Sequence, residues 1–179
     1  MPIRKLLLLT LIVLSVLLMS VIVLAAPMTS VYSSLSGCKL VKTGRDWSVQ
    51  ACQGVGGYNL QLEYDDSRES ITVYSPDRQK HPLDFWRVIS SGFSSVGEKA
   101  EWRVTGKNGK VVPVAFIVRF NASENPEDST KVTSYLVVVK ITPQKICVTD
   151  KIGPSSTANE EARRAADASA DKPCLDTPE

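Results

Sequence analysis

The chain begins with a long hydrophobic run and then changes to short segments in which apolar and polar residues alternate. From Leu6 to Leu24, all nineteen residues are apolar except three with hydroxyl side chains. In the segment 58–64, by contrast, every second residue is Tyr or Leu and the residues between are polar. A period of two is typical of a strand with one buried face. The pattern predicts β-structure for the body of the chain.

Further segments of this kind complete a set of predicted strands, at 38–42, 47–52, 58–64, 70–75, 100–105, 111–120, 132–141 and 145–150. Asn108-Gly109 between two of them is a strong hairpin signal. An alanine-rich stretch, Ala158–Ala170, predicts a helix, and Thr157 with Glu160 resembles a capping box at its start. We predict an α+β fold, a mostly antiparallel sheet of six to eight strands with one C-terminal helix, preceded by an N-terminal hydrophobic signal helix.

The first 25 residues have the features of a secretory signal. Arg4 and Lys5 precede the hydrophobic run, and small residues follow it, which predicts cleavage after Ala25. A retained membrane anchor is the alternative, because the run approaches the ~20 residues that span a bilayer. The predicted organisation is a signal peptide or anchor at 1–25, a linker at 26–36 and a single domain at 37–176. We therefore expect an exported protein, periplasmic or secreted, with a membrane-anchored form as the alternative.

The length and the net charge of the chain limit the classes of partner that it can bind. With 179 residues, 43% hydrophobic and 22% charged, the chain suits one globular domain. Without the first 25 residues, it has 19 basic and 19 acidic side chains. A domain with equal numbers of basic and acidic side chains lacks the excess of positive charge that binding to nucleic acid or anionic lipid requires. We expect no nucleic-acid partner, and membrane contact only through residues 1–25 if they are retained.

Four cysteines lie beyond the leader: Cys38, Cys52, Cys147 and Cys174. An even number of cysteines in an exported chain predicts two disulfides formed in an oxidising compartment. Four cysteines allow three pairings. We favour the two local ones, Cys38–Cys52 and Cys147–Cys174, which close loops of about 15 and 28 residues. In the chain-entropy model, such loops stabilise a protein by about 3 and 3.6 kcal/mol.

Residues for catalysis or for holding a cofactor are scarce. His81 is the only histidine, and its neighbours Lys80 and Pro82 predict an exposed loop. The cysteines have no C-x-x-C spacing for a metal or redox site. Neither a phosphate-binding loop nor a nucleophile elbow is present. We predict no catalytic, cofactor-binding or metal-binding residues.

Four residues are candidates for binding. Trp86 belongs to a Phe-Trp-Arg-Val segment in which Phe85 could face the core while Trp86 points outward. Glu101 and Arg103 share one face of a strand, and Arg119 lies on a strand that we expect to pair nearby. Such a cluster could bind an anionic or carbohydrate ligand, whereas the simpler interpretation is a cross-strand ion pair. For Trp86, the simpler interpretation is core packing.

The order of several short motifs resembles that of a known family. These motifs are Cys38-Lys39-Leu40, Gly56-Gly57-Tyr58, Gly97, Glu101-Trp102-Arg103, Arg119, 136–141, Cys147-Val148, 159–167 and Cys174. Over residues 35–175, the chain is similar to a family of small uncharacterised exported proteins of Gram-negative bacteria, which departs from it around 76–95. The resemblance implies a periplasmic location and no catalytic residue.

These observations leave two hypotheses for function. The first is a non-enzymatic envelope protein that binds another protein or an envelope polymer. The alternative is a small carboxylate-dependent hydrolase or ligand-processing enzyme of the periplasm, since sugar hydrolysis needs only two carboxylates at a suitable separation. A pair of carboxylates converging in a cleft would distinguish the second hypothesis from the first.

Overall fold

A computed structural model describes residues 28–107, 109–125 and 127–175. The predicted signal peptide at 1–25 lies outside these residues. The elements in chain order are β1 (Thr29–Ser34), β2 (Lys39–Thr43), β3 (Trp47–Gln53), β4 (Asn59–Asp65), β5 (Arg68–Tyr74), β6 (Lys80–Pro82), α1 (Phe85–Val88), β7 (Phe93–Lys107), β8 (Lys110–Ser123), β9 (Val132–Ile141), β10 (Ile146–Ile152), α2 (Ala158–Asp167) and a 3₁₀ turn (Ser169–Asp171). No helix among the described residues is long and apolar enough to cross a membrane.

The strands form two five-stranded antiparallel sheets. Sheet A has the order β1-β7-β8-β9-β10, and sheet B has the order β2-β3-β4-β5-β6. The predicted β-rich, antiparallel character with a C-terminal helix is confirmed. The expected single sheet of six to eight strands is wrong, because alternation along a strand identifies its buried face but not the sheet to which it belongs.

The inner faces of the two sheets meet in one hydrophobic core. Trp102 and Phe116 of sheet A are fully buried, and their ring centroids lie 5.1 Å apart. Leu60 and Ile71 of sheet B belong to the same cluster. Fully buried side chains of this size each stabilise the fold by about 1.5–3 kcal/mol. The sandwich therefore has a core of its own, independent of the C-terminal helix.

Residues 29–34, predicted as part of a linker, instead form the edge strand β1. Their small polar side chains conceal the strand in the sequence, yet these side chains have partners. Ser33 Oγ accepts a 2.9 Å hydrogen bond from Nε1 of the buried Trp102, and an edge strand can expose its other residues to solvent.

The segment between the two sheets also differs in part from the sequence prediction. The short helix α1 forms here, and β7 begins at Phe93 rather than at residue 100. His81 lies half-buried on the short edge strand β6, not in a loop, and its Nε2 is 3.3 Å from Ser75 Oγ.

α2 packs on the outer face of sheet A, opposite the sandwich core. Ala162 and Ala166 are buried there against Ile117 and Val138. Both predicted disulfides are present, Cys38–Cys52 and Cys147–Cys174. The second holds the tail beside β10, where the Leu175 amide donates to the Val148 carbonyl at 2.8 Å.

The start of α2 differs from the predicted capping box. Thr157 is the N-cap residue but makes no side-chain cap hydrogen bond. Its hydroxyl instead donates to Glu161, one residue beyond the predicted Glu160.

Candidate functional site

Two of the predicted binding residues hold α2 on sheet A. The Arg103 guanidinium lies between β1 and α2, and the residue as a whole is only 8% exposed. Its Nε and Nη2 donate to Asp167 at 2.6 and 2.9 Å, and its Nη1 donates to Ser30 Oγ at 2.6 Å. A bidentate arginine–carboxylate pair is among the stronger polar contacts in proteins. The hydrogen bonds that Arg103 donates to Asp167 raise the pKa of Arg103 above its usual value.

Glu101 makes the matching contact one helical turn away. Arg163 donates to its two carboxylate oxygens at 2.6 and 3.2 Å, and Ser30 Oγ donates at 2.5 Å. Burial alone would raise the pKa of Glu101, but these hydrogen bonds hold it below its usual value. We call the four residues Glu101, Arg103, Arg163 and Asp167 the helix clamp.

The spacing of the helix clamp explains its geometry. Glu101 and Arg103 are two residues apart on a strand, a separation of roughly 6.6 Å. Arg163 and Asp167 are four apart on a helix, a rise of roughly 6 Å. The two intervals match, so both pairs form side by side. The expected cross-strand ion pair is therefore replaced by ion pairs between strand and helix, and we assign Glu101 and Arg103 a structural role.

Arg119 is not one of the residues of the helix clamp. It is exposed on the same outer face, and its Nη1 donates to Ser134 Oγ at 2.8 Å. Ser134 in turn donates to Asn121 Oδ1 at 2.8 Å. Among the described residues, no carboxylate forms an ion pair with Arg119. It borders a depression of about 410 Å³ beside the start of α2, and Glu101 of the helix clamp lines the same depression.

A large concave feature lies at one end of the sandwich. Here the β4–β5 turn, α1 with its following loop, and the end of β8 with the loop after it surround an open cleft of about 1050 Å³. We call this the end cleft. It is lined by Asp66, Arg68, Trp86, Arg87, Ile89, Ser90, Ser91, Gly92, Phe93, Ser123, Glu124, Asn125 and Ser129.

Trp86 reaches the end cleft because its neighbour holds α1 in the core. Phe85 is fully buried, packs edge-on against Phe120 at 5.5 Å, and donates its amide to Ser70 Oγ at 3.0 Å. Trp86 is half-buried in the cleft wall, and Arg87 is exposed. Adjacent residues of a helix point in different directions, so a core anchor at Phe85 directs Trp86 outward. Phe93, 56% exposed, is the second aromatic side chain of the cleft.

A polar cluster fixes another part of the wall. Lys151 Nζ donates to the Ile89 carbonyl at 2.9 Å and to Glu124 Oε1 at 3.1 Å, and it lies 4.0 Å from the Tyr135 ring centroid. Tyr135 donates its hydroxyl to Glu124. Burial opposes ionisation of Glu124, but the bonds from Tyr135 and Lys151 hold its pKa below the usual value. The loop after α1 is thus tied to β10 and β9.

Gly92 lies at a point of close backbone approach in the cleft. A Cβ atom at Gly92 would lie only 2.2 Å from the Ser123 carbonyl oxygen. Such a contact is impossible without moving the backbone, so only glycine allows the loop before β7 to approach the end of β8.

The carboxylates of the end cleft are engaged with cations. Glu124 pairs with Lys151, and Asp66 lies 3.6 Å from Arg68. In the described part of the chain, no group of three or more His, Cys, Asp or Glu side chains could hold a metal ion. All four cysteines are in disulfides. The arrangement therefore offers aromatic surface and hydrogen-bonding groups rather than a free acid–base pair.

In comparisons with known proteins, no protein-family model, curated protein or solved structure matches the chain. Sequence reasoning placed Trp86 on an outward face but missed Phe93, whose strand was predicted to begin seven residues later. It also missed Arg163 and Asp167, although their four-residue spacing was a usable signal.

Proposed function

We propose that the protein is an exported, non-enzymatic binding protein and that the end cleft is its binding site. The observation that carries this proposal is the difference between two neighbouring side chains of α1. Phe85 is fixed in the core, whereas Trp86 lines the cleft. Aromatic and arginine side chains are enriched at binding hot spots. Trp86, Phe93 and Arg87 together supply both residue types in a concave site.

The two disulfides support an oxidising location, as found in the periplasm or outside the cell. The place where the chain enters the domain is compatible both with cleavage of the hydrophobic leader and with its retention. Thr29 pairs with Val104, eleven residues along β7 from Phe93, which is roughly 35 Å from the cleft. The start of β1 thus lies far from the end cleft.

The hydrolase alternative receives less support from the same geometry. A general acid in a glycosidase needs a raised pKa, whereas the pKa of Glu124 is lowered by its partners. Asp66 is the other carboxylate of the cleft, and Arg68 lies beside it. Both carboxylates are thus better suited to fixing the cleft walls than to proton transfer.

The test is cross-linking and capture in the native envelope. The tagged full chain is expressed in its own cells, cross-linked, purified and analysed for bound material. Trp86→Ala and the milder variant Phe93→Ser should each lose a reproducible adduct. Trp47→Ala is the matched control, because Trp47 is 42% exposed but does not line the cleft.

An adduct that survives in both cleft variants, or is lost equally in Trp47→Ala, would contradict the proposal. Thermal unfolding of each variant serves as the control for folding. Because Phe93 is more than half exposed, Phe93→Ser keeps the test meaningful even if Trp86→Ala destabilises the domain.

A further inference from the structure

The chemistry of the end cleft allows its ligand class to be named. We propose that the cleft binds a glycan, with sugar rings stacked on Trp86 and Phe93 and their hydroxyl groups hydrogen-bonded to the cleft lining. This inference rests on the binding function proposed above. It is carried by the combination of lining groups, by the hydrogen bonds already made on both sides of the first residues of β7, and by the charge pairing around the cleft.

The lining alternates aromatic surface with hydroxyl and amide groups. Between and beside Trp86 and Phe93 lie four serines and one asparagine: Ser90, Ser91, Ser123, Ser129 and Asn125. A serine hydroxyl can both donate and accept, which matches the hydroxyl groups of a sugar. The C–H face of a sugar ring is apolar and packs on an aromatic face, which offers large contact area at fixed geometry.

The backbone around the cleft argues against the common modes of peptide binding. An added strand needs an open edge, but the first residues of β7 are bonded on both sides. Phe93 pairs with Ser123 of β8, while the Ser94 amide donates to the Ser67 carbonyl at 2.9 Å. A bound helix needs a continuous apolar groove, and serines interrupt the apolar surface here.

Charge pairing favours a ligand that is neutral or weakly acidic. Asp66 and Glu124 are paired within the chain, with Arg68 and Lys151. Within the described ranges, no carboxylate forms an ion pair with Arg87, which is exposed at the cleft. One guanidinium suits an occasional carboxylate on a sugar chain, since arginine binds carboxylates with two parallel hydrogen bonds. A polyanion would require several unpaired cations.

The cleft wall is also held in place before any ligand arrives. Lys151 fixes the Ile89 carbonyl, and the close approach of Gly92 to Ser123 fixes the loop before β7. A preorganised site loses less entropy on binding. This matters for a sugar chain, whose own flexibility opposes binding.

Three tryptophans in different environments provide a direct test. Trp102 is fully buried, Trp47 is exposed at the β2–β3 turn, and Trp86 lines the cleft. The protein is labelled with 5-fluorotryptophan, purified from the exporting host and titrated with chitohexaose, cellohexaose and a hyaluronan hexasaccharide, which has a carboxylate on every second sugar only. Fluorine NMR should show the Trp86 resonance shifting with at least one oligosaccharide, while the Trp47 and Trp102 resonances stay in place.

Two variants sharpen the result. Phe93→Ser should weaken the affinity for the bound oligosaccharide at least about tenfold. Arg87→Ala should weaken the binding of the hyaluronan hexasaccharide more than that of a neutral oligosaccharide, because only the acidic chain has carboxylates to pair with Arg87.

No shift of Trp86 with any of the three oligosaccharides overturns the glycan inference, as does an equal shift of Trp47. Failure of the inference can be separated from failure of the binding function. If Trp86-dependent adducts in the envelope consist only of protein and no oligosaccharide shifts Trp86, the binding function stands and the glycan class is wrong.

Discussion

The helix clamp and the end cleft both contain arginine and acidic side chains but use them in different ways. In the clamp, Arg103 is buried and bonded to Asp167 of another element. In the cleft, Arg87 is exposed, and an aromatic side chain stands next to it. A charge whose bonds are satisfied between elements stabilises the fold, whereas an exposed charge beside aromatic surface in a concave site is available to a ligand. The comparison assigns structure to one region and binding to the other.

The largest effect should come from the tail that supports the clamp. Replacing Cys147 and Cys174 by serine should lower the free energy of unfolding by about 3.6 kcal/mol, because the unfolded chain is then no longer constrained by that loop. Urea unfolding of the exported protein measures this value. A loss below about 1 kcal/mol would mean that the tail and α2 are held by the clamp alone.

Breaking the clamp should have the next largest effect. Asp167→Asn removes the charge that neutralises Arg103 and should cost about 2 kcal/mol of stability. Arg119→Ala, on the same outer face but without an ionic partner in the described residues, is the matched control and should change stability by less than about 0.5 kcal/mol. Equal effects of the two substitutions would remove the distinction between clamp and open face.

The response to pH should distinguish two glutamates. The pKa of Glu101 is lowered, so its contribution is complete above the ordinary glutamate pKa of about 4.3 and is lost as the pH falls below it. The pKa of Glu69 is raised by burial, although the Val96 amide donates to its carboxylate at 2.6 Å. Its contribution has the opposite sign: it is complete at low pH and is lost as the pH rises through the raised pKa.

The corresponding variants should therefore differ in direction at pH 7. Glu101→Gln should lose about 1 kcal/mol of stability, and this difference should shrink toward pH 3. Glu69→Gln should be as stable as the parent protein or more stable at pH 7. Thermal unfolding between pH 3 and pH 7 measures both. A stability loss in Glu69→Gln equal to that in Glu101→Gln would contradict the assigned signs.

The smallest stability effect should accompany the largest functional one. Phe93→Ser removes an aromatic side chain that is 56% exposed, so it should change the free energy of unfolding by less than about 1 kcal/mol. Binding at the end cleft should nevertheless fall at least about tenfold. A stability loss comparable to that of Asp167→Asn would indicate that Phe93 supports the fold rather than a ligand.

Features with local signals could be predicted from the sequence. The apolar–polar pattern identified β2 to β5 of sheet B but not the short edge strand β6, and the spacing of the cysteines favoured the pairings that the structure has. The outward direction of Trp86 followed from the neighbouring Phe85. Features that depend on contacts between distant segments could not be predicted. β1 is a strand because its backbone pairs with β7, and the side chains of Ser30 and Ser33 accept further bonds from that strand. The division into two sheets and the end cleft also depend on contacts between segments that are far apart in the chain.

The most direct test of the central claim places a photo-cross-linking amino acid at Phe93, in the end cleft, and separately at Val111, which is 50% exposed near the opposite end of β7 and β8. Each form is exported and irradiated in the living cell. We predict a defined adduct at position 93 that disappears in Trp86→Ala, and none of that kind at position 111. The same adduct at both positions, or an adduct at 93 that does not depend on Trp86, would contradict it.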